Sequence, residues 1–357
     1  PPNVAGGSGF GSSVALSGDA LVVGAPGTSS FRGQAWILRF VGGQWGVEAG
    51  LLPPPGWDDG LMGAEVDIVG SRAVVAAPYA NGPAGFRTGR VAVYDFNGLG
   101  WASSGELTPV DHHHSDRMGL GGVVVSGDQV LVGSPNATGI VGFGYSSPGY
   151  VYVFEEDLGG WSQVQKLGAS DPDTGSWFGG AIDTYEDTLL VGAHRDTRAL
   201  LLTGAGYLFR RQSLPQGTEW VQGERLLSPT PFVGDHLGHQ VALTLDHALL
   251  GAGLEREVGY PEHVGSVLGY DRSNLPDLVA EPFCFGDRCP CDRRNSVLGG
   301  CKPSLDLAGE RRACGTASVS MDDLVLTADG LLPNQLGLLL MGGGPVEQLF
   351  GDGRLCV

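Results

Sequence analysis

Residues 10 to 26 read FGSSVALSGDALVVGAP, from Phe10-Gly11 to Gly24-Ala25-Pro26. Apolar and polar positions alternate on both sides of Ser17-Gly18-Asp19, the pattern of two short strands joined by a tight turn. The phrase recurs four times in weakened form. Met62-Gly63 leads to Ala76-Ala77-Pro78, Met118-Gly119 to Gly133-Ser134-Pro135, Phe178-Gly179 to Gly192-Ala193-His194, and Leu237-Gly238 to Gly251-Ala252-Gly253. The second glycines of these pairs stand at 11, 63, 119, 179 and 238, so the spacing is 52, 56, 60 and 59 residues and five copies fill residues 1 to about 282.

A second pair of strands follows the first in each copy, as in GQAWILRF then WGVEAGLL, or GRVAVYDF then WASSGEL. The third strand is expected to start at Gly33, Gly89, Gly149, Gly206 and Gly265, and Trp45, Trp101, Trp161 and Trp220 open the fourth strand of copies one to four. A lone four-stranded antiparallel sheet cannot bury both of its faces. Copies must therefore stack, and radial stacking of four-stranded sheets predicts an all-β fold, a β-propeller.

Glycine supports this reading, at 61 of 357 residues, about 17% against an average near 7%. Turns are frequent and helices few. The formal charge is −18, from 21 basic and 39 acidic residues, and no basic block is present, which argues against nucleic acid or an anionic membrane as partner. The longest apolar run, Leu336 to Met341, is far too short to cross a bilayer.

The FG…GAP phrase followed by Gly149-Tyr150-Val151-Tyr152-Val153-Phe154 resembles the FG-GAP repeat of integrin-α-like β-propellers, and most closely its secreted bacterial versions. The resemblance covers residues 1 to 282. Propellers of that family have seven blades, and five copies are visible here, leaving either a closed five-bladed ring or a partial array. Blades of the family that hold Ca²⁺ carry an Asp-rich DxDxDG loop between their first two strands. Here the connection is Ser17 to Asp19, Ser126 to Asp128 or a similar triplet, too poor in carboxylates to supply six to eight oxygens. No such Ca²⁺ site and no cofactor is expected, and Asp19 and Asp128 read as turn residues bonding their own backbone.

From residue 283 to 357 the repeat gives way to a tail holding all six cysteines: Cys284, Cys289, Cys291, Cys301, Cys314 and Cys356. An even set in a glycine-rich segment suits disulfides formed outside the cytoplasm, in a secreted or cell-surface chain. The tail resembles a small cysteine-containing module of secreted bacterial repeat proteins. Alternation in 318–328 and 336–342 reads as strands.

Enzyme signatures are missing. The sequence holds no HExxH, GxSxG, P-loop or GxGxxG, and the chain is not expected to be an enzyme. The densest polar tract is Asp111-His112-His113-His114-Ser115-Asp116. Asp111, His112, His114 and Asp116 are the candidate ligands of a transition metal. Neighbours on an extended chain point to opposite sides, however, so a solvated loop is the plainer reading. Asp111 and Asp116 also recur as repeat features, each place being kept once more, in Asp171 and Asp235.

Strand order places the binding surface. In an up-and-down blade the first-to-second and third-to-fourth turns share one rim, and the other connections share the opposite rim. Long variable loops all fall on the second rim, where recognition residues concentrate. They carry Tyr79, Phe86 and Arg87 in copy two and Phe143 and Tyr145 in copy three. Arg195 and Arg198 follow in copy four and Tyr260 in copy five, with His112, His113 and His114 on the adjoining connection. Aromatic and arginine side chains are common interface anchors. Three functions follow: an extracellular binding or adhesion propeller for a protein or glycan, a structural subunit that self-assembles into a surface layer or filament, and a polysaccharide hydrolase.

Overall fold

The computed structural model describes residues 6–137, 147–171, 175–197, 201–214, 217–253 and 265–272, together with four short strands after residue 309. The chain divides into two compact units, Pro1–Arg272 and Ser273–Val357. Among its described residues unit one is all-β apart from one four-residue helical turn, Thr28–Phe31. Its strands form five antiparallel blades in chain order. Blade one is β1 (Val14–Ser17), β2 (Ala20–Ala25), β3 (Gln34–Val41) and β4 (Gln44–Leu51). Blade two is β5 (Glu65–Val69), β6 (Arg72–Ala77), β7 (Arg90–Phe96) and β8 (Trp101–Leu107). Blade three is β9 (Val123–Ser126), β10 (Gln129–Ser134), β11 (Tyr150–Asp157) and β12 (Gly160–Leu167). Blade four is β13 (Ala181–Tyr185), β14 (Thr188–Ala193), β15 (Ala205–Leu214) and β16 (Gly217–Leu226). Blade five shows β17 (Leu237–Leu243), β18 (His247–Ala252) and β19 (Ser266–Asp271), and the place of a fourth strand lies outside the described residues.

The two glycines of the repeat phrase meet across the seam between blades. A Cβ on Gly24, from the GAP of blade one, would lie 2.0 Å from the carbonyl oxygen of Gly63, the FG glycine of blade two. Gly133 stands in the same relation to Gly179, at 2.4 Å, and Gly192 to Gly238, at 2.1 Å. Only glycine permits backbone to approach backbone this closely. Around these contacts the blade faces interdigitate: Val74, Ala76, Val91 and Val93 of blade two pack on Val123, Val125, Val132 and Phe154 of blade three. Each fully buried side chain of this size contributes roughly 1.5–3 kcal/mol.

The repeated tryptophan reaches back over the preceding blade. Trp101 Nε1 donates to Glu48 of blade one at 3.3 Å, and Trp220 Nε1 donates to Gln129 of blade three at 2.7 Å. A Cβ on Gly105 of blade two would fall 2.4 Å from Trp161 of blade three. Trp45 of blade one is exposed and packs on Phe40 of its own sheet.

Innermost strands pack in series, β1 on β5, β5 on β9, β9 on β13 and β13 on β17, and β17 does not pack on β1 as these neighbours pack on each other. The leading face of blade one is open as a result. Val14 and Leu16 are 58% and 62% exposed, whereas Val66 and Ile68 at the same places in blade two are 6% and 2%.

One detail of the repeat differs from expectation. The glycine before the third strand is Gly204 in blade four, at φ +77, matching Gly33 at +80, Gly89 at +81 and Gly149 at +82. Gly206 instead lies inside β15, opposite Gly192. In unit two, β20 (Glu310–Cys314) pairs with β21 (Val325–Asp329) and β22 (Glu347–Phe350) with β23 (Gly353–Cys356), all antiparallel. Residues 336–342 and the side chains of all six cysteines lie outside what is described.

Candidate binding site on the long-loop rim

In blades one to four the long loop between second and third strands is tied by backbone hydrogen bonds to the connection entering the next blade. In blades one and two, Leu61 N donates to Phe31 O at 2.9 Å and Met62 N to Arg32 O at 3.0 Å. In blades two and three, Ser115 N donates to Phe86 O, Arg117 N to Arg87 O and Met118 N to Thr88 O, at 3.0, 3.2 and 2.9 Å. Blades four and five repeat this with His236 N to Leu202 O at 3.1 Å and Leu237 N to Thr203 O at 2.9 Å. The residue before each FG pair is held in the left-handed region: Leu61, Arg117, Trp177 and His236 have φ of 55, 52, 57 and 57. Non-glycine residues occupy that region rarely, and here the paired loops hold them there.

The tie between blades two and three gathers much of the expected site. Arg87 and Arg117 both lie over the ring of Tyr79, their guanidinium carbons 5.4 and 5.0 Å from its centroid. Arg87 also lies 4.7 Å from the Phe86 ring, and Phe86 packs on His114 at 5.5 Å between centroids. Phe86 is 49% exposed. His112 is structural: its Nδ1 contacts Pro109 O at 2.6 Å and its Nε2 accepts from Ala84 N at 3.2 Å. Those two bonds fix the Nδ1-protonated tautomer and hold the tip of the Tyr79–Phe86 loop. His114 Nδ1 pairs with Ser115 Oγ at 2.8 Å.

The four residues named as metal ligands have other work in this geometry. Asp111 forms an ion pair with Lys166 of β12. Asp116, fully buried, accepts from His113 N at 2.6 Å. Both contacts are repeat features. Arg225 lies 3.6 Å from Asp171 in blade four, and Asp235 accepts from Phe232 N at 2.6 Å, with the same three-residue offset as Asp116. Among the described residues no three His, Cys, Asp or Glu side chains form a group able to hold a metal ion.

A second cluster sits on the same rim at blades four and five. Arg195 lies 4.1 Å from the Trp177 ring, and His194 packs on Trp177, His236 and His239 at 5.3, 5.8 and 4.9 Å. Burial, and then the neighbouring His239, His236 and Arg195 side chains, push the His194 imidazole down to about 3, so it stays neutral. Arg198, Phe143, Tyr145 and Tyr260 lie outside the described residues. Sequence reading missed Arg117, Trp177 and His236. Their signal was positional, being the residue directly before the FG pair in every copy.

The turn aspartates also bind arginine. Asp128 bonds its own backbone as expected, and its Oδ1 accepts in addition from Arg211 of the next blade at 2.5 Å, while Asp19 Oδ1 accepts from Arg39 at 2.6 Å. On this rim Arg72 is held by Asp95 at 2.9 Å and by Glu156 of blade three at 2.6 Å.

No described helix is long and apolar enough to cross a membrane. No curated protein is a significant match to the chain. The model of the FG-GAP repeat family matches residues 1–37 and 161–209, that is, most of the first three strands of blade one and the stretch from Trp161 of blade three into the third strand of blade four. A phrase found five times in the sequence is thus built five times as an antiparallel blade, and the chain is a β-propeller that matches the FG-GAP repeat in those two stretches.

Proposed function

We propose that the chain is an extracellular, non-enzymatic binding propeller that takes a protein or glycan on its long-loop rim. The observation that carries this reading is the cluster at blades two and three, where two loops 30 residues apart in sequence hold half-buried Tyr79, Arg87 and Arg117 together with exposed Phe86. Rigid blades beneath mobile-sequence loops suit recognition, and aromatic–arginine groups supply large contact area at low entropic cost. The test is binding of the full chain to a glycan array and to extracellular matrix proteins, with Phe86→Ala as the control. Loss of a specific signal in the variant supports the reading. Substrate turnover abolished by one carboxylate change would overturn it.

A second reading, a self-assembling structural subunit, is favoured by the open leading face of blade one, with Val14, Leu16, Trp45 and Val47 exposed. Apolar faces of this kind are usually covered in solution. Light scattering across a concentration series tests it. A monomer throughout removes the reading, and assembly reversed by Leu16→Asp supports it.

A further inference from the structure

We propose that the rim ligand is an acidic glycan, one whose spaced sugars carry a carboxylate or sulfate, and that Arg87 and Arg117 take the anionic group while Phe86 stacks on the sugar ring. This rests on the binding-rim reading.

The chain has 39 acidic residues against 21 basic ones, so carboxylates for pairing are abundant. Arg39, Arg72, Arg90, Arg211 and Arg225 are all engaged by them. Arg87, Arg117 and Arg195 are different: each lies over an aromatic ring on the long-loop rim, and none forms an ion pair among the described residues. The acidic residues of the adjoining connection are engaged elsewhere, Asp111 by Lys166 and Asp116 by the His113 amide. Arg117 Nε is buried with no acceptor. A guanidinium stacked on a ring keeps its donor edge free for a planar, bidentate anion, and its orientation is already fixed before a ligand arrives.

The aromatic partner selects a sugar over a bare anion. Phe86 leaves half of its surface open beside Arg87, an apolar face for the C–H side of a pyranose next to the charge-reading group. The repeat supplies a second such pair on the same rim, Arg195 on Trp177 at blade four, which suits a polymer read at intervals. The overall charge of −18 disfavours a dense polyanion, whose long-range repulsion would oppose approach. A glycan with one charge on each sugar is repelled less than one with several and still meets the local arginines.

The experiment is titration calorimetry of the full chain with galacturonate oligosaccharides, their methyl esters, a sulfated galactan oligosaccharide, heparin and poly-glutamate. Arg87→Gln/Arg117→Gln and Arg195→Gln serve as variants, with melting curves to confirm folding. The expected result is binding of the galacturonate or the sulfated oligosaccharide, the better of the two identifying the anion. Methyl esterification and the double variant should each weaken galacturonate binding at least about tenfold, as loss of charge-assisted bonds requires. Arg195→Gln should weaken long oligosaccharides more than short ones. Equal binding of acid and ester, an unaffected double variant, or tighter binding of heparin or poly-glutamate would each overturn the proposal. If no acidic oligosaccharide binds while a neutral glycan or protein binds in a Phe86-dependent way, the ligand class is wrong and the rim reading survives; if nothing binds the rim at all, both fall.

Discussion

Arg72 and Arg117 lie on opposite rims of one propeller, and their surroundings are opposite too. Arg72, on the short-turn rim, is clamped by Asp95 of its own blade and Glu156 of the next, and it covers Trp161 at 4.8 Å. Arg117, on the long-loop rim, has a tyrosine face under it and forms no ion pair among the described residues. The short turns are built to join blades and the charge there belongs to the fold. On the long-loop rim Arg32 pairs with Asp58, but Arg87, Arg117 and Arg195 form no ion pair among the described residues and are left for something else.

The largest expected effect sharpens the premise that blades are already rigid beneath the rim. Gly192→Val drives a side chain into the Gly238 carbonyl, 2.1 Å from the would-be Cβ, with no flexible neighbour to yield. Overpacking of this kind costs about 3 kcal/mol, and thermal unfolding should show a drop of several degrees. A variant that melts like the parent would mean the seam is not closed there.

Next comes the comparison itself. Arg72→Gln removes two ion pairs and a ring contact and should cost about 1 kcal/mol in denaturant unfolding, within the range for part-exposed pairs. Arg87→Gln and Arg117→Gln should cost less than about 0.5 kcal/mol, the usual bound for substitutions away from structural contacts. Equal destabilisation at both rims would erase the distinction.

Much of the fold was legible because its causes are local. Alternation marked the strands, and the FG and GAP glycines recurred because each seam needs backbone against backbone. The third-strand glycine of blade four was misplaced because Gly204 and Gly206 both fit the pattern and only the left-handed φ at Gly204 separates them. The site was legible only in part. Tyr79, Phe86 and Arg87 could be named from loop length, but Arg117 hides at a place where the repeat itself imposes a left-handed backbone. Whether a cation is paired could not be read at all, since Lys166 and Asp111 are 55 residues apart, about one repeat, and Arg211 and Asp128 are 83 apart.

Protonation sharpens the same contrast between seam and surface. Glu65, desolvated near the seam of blades one and two, has its carboxyl pushed up to about 7. The folded state therefore holds a proton that the unfolded chain releases near 4.5, and this contribution to stability is present below pH 4.5 and lost as pH rises through 7. Glu65→Gln should flatten the unfolding profile between those values. His194 works in the other direction. Its folded value near 3 lies below the unfolded 6.5, so its contribution is present above pH 6.5 and declines as pH falls toward 3, at up to roughly 1.4 kcal/mol for each unit. His194→Leu should remove that acid-side loss in chemical unfolding measured from pH 7 to 4. An unchanged slope would show that the imidazole is not buried neutral.

The smallest effect should come from Arg39→Gln. Its pairs with Asp19 and Glu48 lie at the outer edge, where solvent screens them, and a loss of only a few tenths of a kcal/mol is expected in the same assay.

The most direct test of the account is to measure, on one preparation of Arg87→Gln/Arg117→Gln, both the melting temperature and the affinity for galacturonate and sulfated oligosaccharides. The account predicts a melting temperature within about a degree of the parent and an affinity reduced at least about tenfold. A melting temperature lowered by several degrees with affinity unchanged would show that these arginines belong to the fold, as Arg72 does, and that the rim is not where the ligand is read.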